Sequence, residues 1–524
     1  MTRTKLSLLT MFVVLIPIAC TRSSSNHPGG GTPPTALSYN EVGNGGDFIR
    51  ILMEEGRLYA AGITARIRAD AFPSNINHYL HSGEFDWLIA NKKNIEDDIR
   101  QSQYVWVDRL PEGCLKDDGC ACAFASQRKV YFSQEECQAK LRKRHEAAKL
   151  LIHESMHHFV GNDEAKAKRL GTVLFAAWYN MGHPDSPHWK MFSPPVDFGG
   201  DSFSVWTGNE LLVWSKPTYS ALSPPRVSRL GYYNPMTGAW RFERAADFPT
   251  ILSSLASLPV FASGTAFVAI GGSDIYGYDV GQRLWRSIAP LPLNEPRAEQ
   301  LVSLGAKLFV HFRPPSQPPL EVLSVGAIYD PESNSWRGVS GTAAPSPRIR
   351  SATIWTGDRV MVWGGRVFPE ELEGTTRFLN TGALYDPSFD RWTEISLAGA
   401  PSVRELPSLA WTGKEVIVFG GVTSEFQITG GAFDPQANRW RPIKNGPLPA
   451  NPNPIRSRCV WTGTEVLFLN GTRIDSYDPF HNEWAPNAEQ PNYPDSLADG
   501  PINWTGMEMI GWDGRSSTGY LFYP

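Results

Sequence analysis

The sequence predicts a multidomain protein: an α+β N-terminal domain followed by an all-β ring, a seven-bladed propeller. Three observations predict this. A His-Glu-x-x-His segment, Leu151-Ile152-His153-Glu154-Ser155-Met156-His157, lies in a run free of Gly and Pro, with Leu141, Ala148, Leu151 and Ile152 at helical spacing. From about residue 187 the composition shifts to Trp, Gly and Pro. Beyond that point a pattern opening on Trp-Thr-Gly and closing on Trp recurs at intervals of about 50 residues, the spacing of propeller blades.

The elements follow in chain order. Arg3 and Lys5 precede an apolar run from Leu6 to Ile18 and then Ala19-Cys20, so residues 1–20 read as a secretory signal too short to span a membrane. Residues 21–38, Ser-rich with Gly29-Gly30-Gly31 and Pro33-Pro34, read as a flexible tether.

Residues 39–185 form the first folded domain, opening near Gly43-Asn44-Gly45-Gly46-Asp47. His78 and His81 sit near a helix end as surface groups. Cys114, Cys120, Cys122 and Cys137 crowd one short stretch. In an exported chain they predict two disulfides, with Cys120 and Cys122 not joined to each other. A structural zinc site competes, without the paired Cys-x-x-Cys knuckles. Lys129-Val130-Tyr131-Phe132-Ser133 reads as a short strand, and one helix is expected from about Cys137 to Gly161.

On that helix His153 and His157 stand one turn apart on one face, so both imidazoles reach one metal ion and Glu154 beside them is placed as a general base. The pattern arises by accident on the order of 1 time in 100 in such a chain. Catalytic zinc needs a third protein ligand and an open position. Asn162-Asp163-Glu164-Ala165 begins a second helix running toward Tyr179 and returns two carboxylates to this place. Glu164 is the expected third ligand, with Asp163 the alternative; Asp163 also reads as a helix N-cap. His158 points about 100° round the helix, as a neighbouring or surface group.

Residues 186–524 carry the repeat. Trp355-Thr356-Gly357 is followed by Gly364-Gly365, Tyr385-Asp386-Pro387 and Trp392; Trp411-Thr412-Gly413 is followed by Gly420-Gly421, Phe433-Asp434-Pro435 and Trp440. Other units start at Trp206, Trp461 and Trp504, and degraded ones at Ala262-Ser263-Gly264 and near Gly305. Thr-Gly and Asp-Pro are turn chemistry, and the closing Trp is expected between neighbouring blades. Blades one and three carry Trp214-Ser215 and His311-Phe312 where the glycine pair is expected. The last unit ends at Gly519-Tyr520-Leu521-Phe522-Tyr523-Pro524, one strand short, so the strand near 187–192 is expected to complete it and remove an open edge. Cys459 reads as a core thiol.

These motifs carry resemblances. The repeat, nearly two thirds of the chain, resembles the kelch family. The first domain resembles the zincin-like zinc metallopeptidases. Asp163 has the third-ligand spacing of the metzincin type, though Gly161 falls one place later than their glycine. Asp163-Glu164-Ala165 resembles the Asn-Glu-Ala segment of thermolysin-like enzymes, whose intervening segment is longer. In similar peptidases a strand such as 129–133 lies along the helix and holds an extended substrate. Ile18-Ala19-Cys20 resembles the bacterial lipoprotein signal, with Cys20 lipidated and Pro17 replacing the usual Leu; ordinary cleavage to a soluble product is the alternative. Gly43-Asn44-Gly45-Gly46-Asp47 together with His-Glu-x-x-His-His and Asp-Glu is similar to uncharacterised exported bacterial proteins. The galactose-oxidase-type copper enzymes share kelch-like blades, but need several histidines where this ring has His311 and His481.

The resemblances imply an exported protein, lipid-anchored to the bacterial cell envelope at the outer membrane. It would be a zinc-dependent metallopeptidase acting on a peptide or protein substrate, with a propeller that binds a protein or glycan partner. The alternative is a non-enzymatic binding or scaffold lipoprotein whose His-Glu-x-x-His domain is inactive or structural. With 49 basic and 53 acidic residues and no single-sign block, nothing suggests nucleic acid.

Overall fold

A computed structural model describes residues 46–523 apart from 68–79, 112–119, 125–126, 142–143, 181–187, 197, 199–201, 216–228, 236, 245–259, 271–273, 292–296, 314–324, 368–376, 448–457, 471–472, 486–501 and 514–515. The signal and tether (residues 1–38), Cys20, His78 and Cys114 lie outside the described residues.

The first part contains helices α1 (Gly46–Arg66), α2 (Glu84–Gln101), α3 (Gln134–Lys140), α4 (Arg144–Val160) and α5 (Glu164–Asn180), and strands β1 (Gln103–Val107), β2 (Ala121–Phe124) and β3 (Gln127–Ser133). On α1, Ile49, Leu52, Met53, Ala60 and Ile63 are buried at helical spacing. The helix keeps two glycines because neighbours arrive where a side chain would stand: a Cβ on Gly56 would lie 2.5 Å from Ala147 Cβ of α4. Lys92 Nζ caps the far end of α1, donating to the carbonyls of Ala65 (3.2 Å) and Ile67 (2.8 Å).

The three strands form a sheet in the order β1-β3-β2, with β3 parallel to β1 and antiparallel to β2. Val130 therefore has Tyr104 on one side and Ala123 on the other. This corrects the expectation that strand 129–133 holds a substrate, because both of its hydrogen-bonding edges are occupied. The single helix expected from Cys137 is also corrected. α3 ends at Lys140, and Leu141 is buried in extended backbone (φ −102, ψ 126) before α4 begins. A disulfide between Cys137 and Cys120 fastens α3 to the start of β2, so the chain must turn there to bring Leu141 into the core. Cys122 is also disulfide-bonded.

The rest forms seven four-stranded antiparallel sheets. In the fourth, Ala352–Trp355, Val360–Trp363, Gly382–Asp386 and Arg391–Glu394 pair in order. The first strand of each sheet touches the first strand of the next, and Met509–Asp513 of the last sheet returns to Ser202–Trp206 of the first. There Trp512 Nε1 donates to Ser202 Oγ at 2.8 Å. Strand β4 (His188–Phe192) completes the last sheet, pairing antiparallel with Thr518–Tyr523 so that Lys190 faces Leu521.

The repeat residues work as a latch between sheets. Asp386 Oδ1 accepts from the backbone N–H of Ser388 (2.9 Å) and Phe389 (3.3 Å), closing the Asp-Pro turn. Asp390 follows at φ 49, and its Oδ1 accepts from Tyr385 Oη at 2.6 Å and from the Ser340 N–H of the preceding linker at 3.0 Å. Trp392 Nε1 donates to the Ser340 carbonyl at 2.8 Å. The arrangement recurs with Asn334 and Trp336 on Ala289, Asn438 and Trp440 on Ser396, and Asn482 and Trp484 on Lys444.

The register also corrects where two sheets depart from the pattern. Trp214 faces Leu230 and His311 faces Gly326, the place that Trp363 takes opposite Gly382. Trp214 and His311 therefore substitute for Trp363, and the glycine-pair position begins one residue later, at Ser215 and Phe312.

One hydrophobic cluster contains both α-helical residues and Leu211, Tyr233, Trp512 and Tyr523 of the sheets, with Met507 from the turn before Met509–Asp513. Arg66 at the end of α1 forms a two-pronged ion pair with Glu508 (3.0 and 3.1 Å), and both side chains are buried. Trp178 of α5 stands 6.5 Å from Tyr523.

Candidate metal centre

Helix α4 carries His153 and His157, four residues apart and so on one face. It ends at Gly161, whose φ of 71 lets the chain reverse while its N–H bonds back to the His157 carbonyl at 3.0 Å. Asp163 caps the next helix, its Oδ1 accepting from the Lys166 N–H at 3.0 Å. Glu164 then opens α5 over the two histidines. Gly171 of α5 packs on α4 beside His153: a Cβ there would stand 3.4 Å from the His153 Cα, an ordinary contact.

His153, His157 and Glu164 converge, with one ligand atom from each lying within 4.8 Å of the others. His153 Nε2 is 3.1 Å from Glu164 Oε1 and His157 Nε2 is 3.1 Å from Glu164 Oε2. Both carboxylate oxygens are buried and neither takes part in a hydrogen bond. The carbonyl of Gly161 lies 2.8 Å from His157 Nδ1 and can only accept, so Nδ1 carries the hydrogen. In the neutral ring Nε2 then turns a lone pair toward a carboxylate oxygen. Two acceptors facing each other in a buried place fit a divalent cation between them, and a His₂Glu donor set suits zinc.

The other expected residues divide. Asp163 is the helix cap and stands outside the converging group. Glu154, beside His153, is buried. His158 turns away: its Nδ1 lies 2.7 Å from Asp98 Oδ2 and its Nε2 3.3 Å from the Lys129 carbonyl. His81 is exposed at the start of α2, and Glu84 three residues later is held to about 2, below the usual carboxylate range, chiefly by its hydrogen bonds from Arg169. In the sixth sheet, burial pushes the Cys459 thiol up to about 12, so it is a protonated packing group.

Sequence reasoning missed Asp98 and the Gly161 carbonyl. A buried aspartate on a distant helix leaves no periodic signal, whereas a glycine four residues after the second histidine is a signal for the carbonyl. Neither a scan against protein-family models nor a search of curated proteins finds a match for this chain. Among the described residues no helix is long and apolar enough to cross a membrane.

Proposed function

We propose that this chain is an exported, lipid-anchored zinc metallopeptidase of zincin-like type, whose seven sheets form a kelch-type propeller that binds a protein or glycan partner. One observation carries the enzymatic reading: both oxygens of Glu164 face the Nε2 atoms of His153 and His157 at 3.1 Å, buried and without a hydrogen bond. Zinc bound there would act as a Lewis acid, polarising a peptide carbonyl and lowering the pKa of water. Gly161 fixes the His157 ring through Nδ1, and Glu164 supplies the anionic ligand. Glu154 takes the proton of the attacking water and returns it to the leaving amine. His158 is taken up by Asp98 and the Lys129 carbonyl, so three protein groups, His153, His157 and Glu164, would hold the ion, the ligand number of a catalytic zinc. The contacts between successive first strands, the pairing of β4 with the last strand and the Trp latches support the propeller reading.

The test is metal content of the purified protein together with hydrolysis of a broad peptide library, for wild type, Glu154→Gln and His157→Ala. The expected result is about one zinc per chain in wild type, lost in His157→Ala and kept by an inactive Glu154→Gln. Zinc without Glu154-dependent cleavage, or no zinc at all, would transfer the function to the propeller as a binding scaffold. For the anchor, Cys20→Ser should abolish incorporation of labelled fatty acid.

A further inference from the structure

We propose that Asp98 is a positioning residue for the metal centre, setting the rotation of α4 from the side opposite the metal ligands. The inference rests on His153, His157 and Glu164 holding a metal. Asp98 belongs to α2, is 1% exposed, and gathers bonds from α4 and from the end of its own helix on a single oxygen. Its Oδ2 accepts from Ser155 Oγ at 2.8 Å and from Ser102 Oγ at 3.4 Å, and lies 2.7 Å from His158 Nδ1. Arg128 Nε stands 3.8 Å from Oδ1.

At about 100° per residue, His153 and His157 share one face of α4, while Ser155 and His158 share another roughly 150° away. Asp98 therefore grips the helix by its back. His158 continues the grip into the sheet, its Nε2 lying 3.3 Å from the Lys129 carbonyl on β3. The front of α4 has a different fastening, the packing of α5 at Gly171. With the back held, the two Nε2 atoms meet Glu164 at the same distance. Released, α4 can turn about its axis, and metal sites tolerate only about 10–20° of such error.

The experiment measures cobalt(II) and zinc(II) affinity and the cobalt visible spectrum of the full-length protein. Wild type is compared with Asp98→Ala, Asp98→Asn, Ser155→Ala and Glu84→Gln. Asp98→Ala should weaken both metals by about 10–100-fold and shift the cobalt bands, because outer groups that orient ligands carry effects of that size. Asp98→Asn retains an acceptor and should recover part of the loss. Ser155→Ala removes one bond with little disturbance and should weaken binding about 3-fold, which keeps the test decisive if Asp98→Ala does not fold. Glu84→Gln breaks another carboxylate contact of α2, to Arg169, and should leave metal affinity unchanged. Wild-type affinity and spectrum in the Asp98 and Ser155 variants, or an equal loss in Glu84→Gln, overturn the positioning role alone. A wild type that takes up no metal overturns it together with the metallopeptidase reading.

Discussion

His157 Nδ1 donates to the carbonyl of Gly161 at 2.8 Å, so the residue that ends the helix also aims the imidazole of His157. Gly161 has a φ of 71, and no atom lies within 4 Å of where its Cβ would stand. Gly161→Ala therefore meets no steric obstacle and bears only the left-handed backbone cost, about 1–2 kcal/mol. Urea unfolding should show that loss, and zinc titration should show weaker binding because the carbonyl moves with the backbone. Unchanged zinc affinity in a destabilised variant would separate the cap from the orientation of His157.

The buried pair of Arg66 and Glu508 ties the helical part to the last sheet. Glu508→Gln leaves a buried guanidinium without its carboxylate and should cost about 3–5 kcal/mol. Replacing both residues with Met and Leu should recover most of that, since the cost lies in the stranded charge. Guanidinium unfolding of the two variants beside wild type decides the matter.

His311 is buried, and desolvation, aided by the Arg348 charge, lowers its pKa to about 3. The unfolded chain has an ordinary histidine near ~6.5, so between those values the unfolded state binds the extra proton. Stability from this group is full above ~6.5 and declines as pH falls toward 3, at most about 1.4 kcal/mol per pH unit. His311→Phe should flatten that part of the pH profile of the melting temperature. Identical acid slopes in the two proteins would show that His311 is not held neutral.

Asn438 sits at φ 47 and bonds the end of the previous sheet twice, accepting from the N–H of Ser396 in the linker and donating to the carbonyl of Glu394, the last strand residue, each at 3.0 Å. Asn438→Gly keeps the backbone and loses both bonds, about 1–2 kcal/mol. Asn438→Ala loses the bonds and adds the left-handed cost, about 1 kcal/mol more. If the order reverses in thermal unfolding, the side-chain latch is not what the turn contributes.

The parts legible in the sequence were those with local or periodic signals. Trp-Thr-Gly and Asp-Pro with a closing Trp placed the turns of the sheets, and the stray run ahead of the first sheet pointed to β4. His-Glu-x-x-His, Gly161 and Asp163-Glu164 placed the histidines, the reversal and the carboxylate. Helix α1 was not foreseen, because Gly56 and Gly62 interrupt it, and each is explained only by a distant neighbour, Ala147 or Met507. The break between α3 and α4 follows from a cross-link to Cys120 in another element. The central place of β3 depends on β1, a strand that joins it only through tertiary structure. Asp98 acts through space on Ser155 and His158, and such contacts leave no spacing to read.

β4 is made before any complete sheet, yet its partner is the last strand of the last sheet. During synthesis it waits with its hydrogen-bonding groups unclaimed while every other sheet can assemble from neighbouring segments. Pairing β4 with that strand joins regions separated by nearly the whole length of the repeat, the kind of contact that slows folding most. A nascent or truncated chain therefore presents a free strand that can pair with another copy, and the final strand protects the chain from that misassembly.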